Sequence, residues 1–145
     1  MAYDSCLQKQ IEIKKLFASC LTDEEKYEKL ISLGREQPFF DDSYKTSDNL
    51  VKGCQSQMFL RTYYDKGLVY FEGTSDALIS SGLGQILIRV YSGETPEAIL
   101  KCPPAFLDEL GLQASLSPSR ANGLYSIHLR MKQEALKLLM MHPTL

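Results

Sequence analysis

Apolar positions near the start of the chain recur at helical spacing. Leu7, Ile11 and Phe17 begin one apolar face, which stops near Cys20-Leu21. A second helix opens at Thr22-Asp23-Glu24-Glu25, a capping box in which Thr22 is the N-cap and Glu25 reaches back to it. Tyr27, Leu30 and Ile31 continue this helix at the same period, and Gly34 is its expected stop. Positions 37–49 are irregular, with Pro38, the acidic pair Asp41-Asp42 and several Ser and Thr residues. Then the pattern changes. Positions 56–64 and 68–71 are rich in bulky, aromatic and β-favouring residues, and Asp65-Lys66-Gly67 lies between them with a glycine where positive φ is wanted. That combination predicts a β-hairpin. A short strand at Asn49-Leu50-Val51 would join it and leave Gly53-Cys54 in the connection between strands.

The remainder reads as helix. Thr74-Ser75-Asp76 caps a segment with apolar positions Ile79, Leu83, Ile86, Leu87 and Val90, ended by Ser92-Gly93. Thr95-Pro96-Glu97 starts a short helix, with Thr as N-cap, Pro at the first helical position and an acid at the positive end of the dipole. Ser117-Pro118 repeats the device before a last helix striped by Leu124, Ile127, Met131, Ala135 and Leu138. Strands segregated from helices in this way predict an α+β fold, a small antiparallel sheet of about three strands packed with N-terminal and C-terminal helices. No repeat or linker interrupts the chain, so residues 1–145 read as a single domain.

Composition narrows the function classes. Hydrophobic residues make up 44% of the 145 and charged residues 23%, enough for one ordinary core. Sixteen Lys and Arg against eighteen Asp and Glu leave a formal charge of −2. Nucleic-acid binding by counterion release needs clustered positive charge, so no nucleic-acid partner is expected. The apolar stretches are too short for a membrane span, and Met1-Ala2-Tyr3-Asp4-Ser5 does not read as a signal peptide. The expectation is a cytoplasmic protein with no membrane partner.

The cysteines are Cys6, Cys20, Cys54 and Cys102, with no Cys-x-x-Cys pair among them, and the only histidines are His128 and His142. A disulfide framework, a dithiol motif and a conventional metal site are therefore all poorly supported, and no metal is expected. Cys54 stands in the most suggestive setting. Gly53 before it permits a tight turn, and the polar pair Gln55-Ser56 follows at the mouth of the hairpin. A thiol on a loop braced by a sheet can approach a partner's sulfur, as exchange chemistry requires. On these residues alone, a small buried hydrophobe is an equal reading of Cys54.

Further pieces follow in order: Gly53-Cys54-Gln55-Ser56-Gln57, then Gly73 and Ser75-Asp76-Ala77 opening a helix with Gly82-Leu83, then Thr95-Pro96, Leu110-Gly111-Leu112, and Leu116-Ser117-Pro118-Ser119-Arg120-Ala121-Asn122-Gly123-Leu124. With Glu24-Glu25-Lys26-Tyr27 and Leu33-Gly34 upstream, this ordered set resembles the SufE family, including its CsdE branch, across nearly the whole chain. The resemblance implies a SufE/IscU-like fold and makes Cys54 a sulfur acceptor. Its implied partner is a cysteine desulfurase of the SufS/CsdA type, whose persulfide sulfur passes to Cys54 and on to a downstream iron–sulfur scaffold, stimulating the desulfurase. Self-association into a homodimer is compatible with the pattern. No cofactor is implied for this chain, because the pyridoxal phosphate belongs to the partner. Where relatives often carry Val-Trp after the motif, this chain has Met58-Phe59, which keeps the strand apolar but alters packing near the thiol.

The resemblance also singles out Asp76 and Arg120, as groups that support the cysteine loop or bind the partner, and more weakly Gln55. The bland alternatives are a helix-start acid for Asp76 and an exposed first-turn arginine for Arg120. A guanidinium near Cys54 would favour its thiolate. Cys6, in a frayed N-terminus, Cys20 and Cys102 read as structural, and His128 as a packed histidine. Because persulfides are labile, the Cys54 side chain is expected to be sheltered against apolar neighbours. An iron–sulfur scaffold would need several ligands converging on iron, and a single-cysteine redox protein would need a basic cluster or resolving partner around Cys54. Neither is evident, and a purely structural adaptor would make Cys54 dispensable.

Overall fold

The capping box at Thr22 forms as expected. In the computed structural model, which describes residues 2–143, Thr22 Oγ1 accepts from the Glu25 amide at 3.1 Å and the Glu25 carboxylate reaches back to the Leu21 amide at 3.5 Å. It opens helix α2 (Asp23–Arg35), which follows α1 (Asp4–Leu16). The hairpin β1 (Met58–Asp65) and β2 (Leu68–Ser75) comes next, then α3 (Leu78–Tyr91), the short helices α4 (Pro96–Lys101), α5 (Ala105–Glu109) and α6 (Leu112–Ser115), and the long α7 (Pro118–Met141). The fold class is α+β. Among the described residues no helix is long and apolar enough to cross a membrane.

Antiparallel pairing runs from Asp65↔Leu68 to Met58↔Ser75, so the hairpin turns on Lys66-Gly67 alone. Both residues have positive φ, 50° and 84°, the paired left-handed conformation that matches strand twist. One hairpin face, with Met58, Leu60, Val69 and Phe71, is buried. Helix α3 packs between that hairpin and α2, contributing the fully buried Ile86, Leu87, Val90 and Tyr91, while α7 covers α3 and α4.

Several local expectations shift. The third strand shrinks to a single bridge, Leu50↔Phe59, with the Val51 amide donating to Met58 O at 2.8 Å. Asn49 is instead held in a 3₁₀ turn, its side chain donating to Tyr44 O, and Gly53 at φ 92° takes the chain away from the sheet. The face that α1 buries is Cys6, Gln10, Ile13 and Phe17, whereas Ile11 is exposed. Polar Gln10 hid that stripe from a purely apolar reading. It is buried because its amide donates to Pro103 O at 2.8 Å and its carbonyl accepts from the Phe106 amide at 3.2 Å. Cys6 is consequently not frayed but fully buried. Thr74 and Ser75 complete β2 rather than capping α3. Ala77 is the N-cap, and Ser75 Oγ accepts its amide hydrogen at 3.2 Å.

Gly34 does not stop α2, which runs on to Arg35; its role is close packing. A Cβ at Gly34 would lie 2.3 Å from Leu78 O, and one at Gly82 would lie 2.1 Å from Leu30 O. The two glycines let the backbones of α2 and α3 touch, which fixes where the start of α3 sits. Gly82→Ala is therefore expected to destabilise the fold by about 3 kcal/mol or more, since the obstructing atoms are backbone and cannot turn aside. A urea midpoint unchanged from that of the parent would refute this account of the crossing.

Candidate functional site

The loop that carries Cys54 is shaped by two glycines. At Gly53 φ is 92°, a left-handed conformation unfavourable for other residues, and a Cβ there would lie 2.4 Å from Ser126 Oγ on α7. Across the same interface Gly123 has no side chain to shield its carbonyl. Cys54 Sγ lies 3.7 Å from Gly123 O, and a Cβ at Gly123 would meet the sulfur at 3.7 Å. A bulky residue at Gly123 would cover the thiol. Ser56 Oγ shares a 2.7 Å hydrogen bond with Ser80 Oγ, joining the far side of the loop to α3.

The thiol opens into a cleft of about 620 Å³ between this loop, α2, the first turns of α3 and the start of α7. Ile31, Ile79, Leu83 and Ile127 give it an apolar floor, while Ser56, Ser80, Ser119 and Arg120 supply polar walls. Cys54 is half-buried. Burial alone pushes its thiol above the ordinary cysteine range, so at neutral pH the resting side chain is protonated and sheltered.

Gln55 and Arg120 line the same cleft, and both are exposed. Arg120 lies in the first turn of α7, its amide donating to the N-cap Ser117 Oγ at 3.4 Å. Its guanidinium sits over the Tyr27 ring, 5.6 Å from the centroid. A cation at a helix N-terminus opposes the macrodipole, so local stability does not explain it. Asp76 lies elsewhere. It is exposed at the end of the hairpin, beside Lys45, Gln57 and Phe59, with its amide donating to Gln57 O at 3.3 Å.

The other thiols are placed differently. Cys6 and Cys102 are buried together against Gln10, whose amide lies 3.2 Å from Cys102 Sγ, and Cys20 is half-buried near Glu25 O. Burial and the neighbouring Cys102 push the Cys6 thiol far up. Among the described residues no three His, Cys, Asp or Glu side chains gather as a metal site. Sequence reasoning missed the contacts of Gly123 and Ser126. The signal was available in the spacing, because small residues three apart on a helix share a face.

Fold and site together define an α+β domain that presents a half-buried cysteine, Cys54, on a loop turned by Gly53 at the foot of a cleft. Residues 11–135 match the family model described as "SufE: Fe-S metabolism associated domain", and the chain belongs to the SufE family. It is 41% identical over 128 residues to SufE-like protein 1, chloroplastic/mitochondrial, of Arabidopsis thaliana, covering 88% of this chain but 34% of that one. The chain thus spans about a third of the length of that relative. It is 35% identical over 117 residues to the sulfur acceptor protein CsdE of Escherichia coli, covering 79% of this chain and 80% of CsdE. A hypothetical protein of Thermus thermophilus, solved in solution, superimposes with a TM-score of 0.73 at 26% identity, covering 91% of this chain and 96% of the other. The family is associated with iron–sulfur metabolism.

Proposed function

We propose that this chain accepts persulfide sulfur from a cysteine desulfurase onto Cys54 and relays it to iron–sulfur cluster assembly. The observation that carries the reading is the seat of Cys54, half-buried at the foot of an apolar cleft and mounted on a loop that only Gly53 permits. The name of the Escherichia coli relative, a sulfur acceptor protein, supports it.

In the transfer, the Cys54 thiolate attacks the outer sulfur of the donor persulfide. A new S–S bond forms at Cys54, the donor's S–S bond breaks, and the donor cysteine leaves as a thiolate. Because burial holds the Cys54 proton on at rest, docking must bring a base or a more polar setting that removes it. Arg120, exposed at the cleft wall, is placed to meet the partner or to steady the thiolate once the loop moves. Gln55 is placed to hydrogen-bond within the same contact, whereas Asp76 would act at the rim of the docking surface, beside Lys45. The pyridoxal phosphate of the reaction belongs to the desulfurase. A reducing compartment such as the cytoplasm would keep the thiol available.

Incubation with a cysteine desulfurase and cysteine is expected to add sulfur to Cys54, read by mass spectrometry of its peptide. Cys54→Ser should abolish the addition, and variants of Cys6, Cys20 and Cys102 should retain it. Sulfur found mainly on another cysteine would overturn the assignment.

A further inference from the structure

Helix α7 meets the chain leading to Cys54 at three successive points on one face. Gly123 faces Cys54, Ser126 faces Gly53, and Arg130, one turn further on, reaches the segment before them. Arg130 Nη1 donates to Leu50 O at 3.2 Å and Nη2 donates to Asp48 O. Its Nε is held by Glu134 Oε1 at 2.9 Å, with Lys137 on the same carboxylate at 3.6 Å. The Arg130 side chain is only 19% exposed, so these charged hydrogen bonds work in a partly dehydrated setting.

The loop needs such an anchor. Past the hydrogen bond from the Val51 amide to Met58 O, the chain leaves the sheet through a turn at Lys52-Gly53, with Gly53 at φ 92°. Beyond the Val51–Met58 hydrogen bond that closes its neck, the loop is held by contacts with α7 and by the Ser56–Ser80 bond. Resting on Cys54 as the sulfur acceptor, we propose that Arg130 is a positioning residue for sulfur transfer, a latch that clips segment 48–50 to α7 and keeps the Cys54 sulfur sheltered until a partner opens the loop. Glu134 orients the guanidinium fork, so it is a lesser part of the same latch.

The latch is tested by the alkylation rate of each cysteine with neutral iodoacetamide across a pH series, followed by mass spectrometry. Losing the charged hydrogen bonds in Arg130→Gln should speed alkylation of Cys54 about tenfold. The midpoint of its pH profile should also fall towards that of an ordinary thiol. Arg130→Lys should lie between, because a single ammonium lacks the planar fork that spans both carbonyls. Glu134→Gln should give a smaller rise in the same direction, and Cys20 should react at its parental rate throughout. In a second arm, the variant is loaded by a cysteine desulfurase and offered free dithiothreitol; Arg130→Gln should lose sulfur from Cys54 about tenfold faster than the parent. Failure of the parent to take sulfur would refute the proposed function, while the alkylation arm would still judge the latch. An unchanged Cys54 rate and pH profile in Arg130→Gln would overturn the latch. So would parallel exposure of buried Cys6 and Cys102, the mark of general loosening.

Discussion

With Cys54→Ala in place of the parent protein, a cysteine desulfurase is expected to turn over at its unassisted rate while still binding the variant. The reasoning follows the sulfur. A desulfurase carrying a persulfide has its nucleophile occupied, and the next cysteine substrate waits until a thiol removes the outer sulfur. On the proposed function Cys54 supplies that thiol, and the docking surface only brings it within reach. Removing the sulfur atom leaves the cleft walls, Gly53, Ser126 and Arg120 as they were, so affinity should survive while stimulation is lost entirely. Arg120→Ala should fail differently, with weaker binding and stimulation that recovers in part at high concentration, since Arg120 is exposed and does not set the resting state of the thiol. The measurements are alanine and sulfide production alongside a binding titration. Full stimulation by Cys54→Ala would mean that the protein acts by allosteric activation, and the relay argued above would be wrong.

How much of this was legible beforehand differs by element for physical reasons. The capping box at Thr22, the turn at Lys66-Gly67 and the helix starts at Thr95-Pro96 and Ser117-Pro118 are local devices, complete within a few residues, and each stands where the pattern put it. The stripe of α1 was misplaced because its buried members include Gln10 and Cys6, whose partners lie some ninety residues away. Gly34 looked like a helix stop because glycine is common there, but the backbone of α3 that presses on it is invisible from α2 alone. The site shows the same division. Cys54 stood out through its neighbours Gly53 and Gln55, and Arg120 through its place in an ordered motif. Arg130 did not, because its task is defined only by two carbonyls brought against it by the fold. Asp76 joined the candidates by resemblance and lies outside the cleft that contains the other three.

Acidification is expected to weaken the whole fold through His128, on the opposite side of α7 from the latch. His128 is 8% exposed, and its ring lies against Tyr91 with centroids 5.0 Å apart. Nε2 is buried without a hydrogen-bond partner among the described residues. Burial, and secondarily the positive charge of Lys132 one turn on, depress its pKa from the ordinary 6.5 to about 4. The folded protein therefore binds this proton less readily than the unfolded chain. Stability is full above pH 6.5, falls as the pH drops from there to about 4, and levels off below, with the loss from this group amounting to about 3 kcal/mol. For a domain whose total stability is of order 10 kcal/mol, that is a large share. Because α7 also seats the Cys54 loop, the Cys54 cleft loses its support over the same range. Urea unfolding at pH 7 and at pH 4.5, compared between the parent and His128→Leu, isolates the effect from the carboxylates that both proteins share. The variant should lose about 2 to 3 kcal/mol less than the parent between those two values. Equal losses would mean that His128 is charged in the folded protein, with its proton accommodated in a way the buried, unpartnered Nε2 does not suggest.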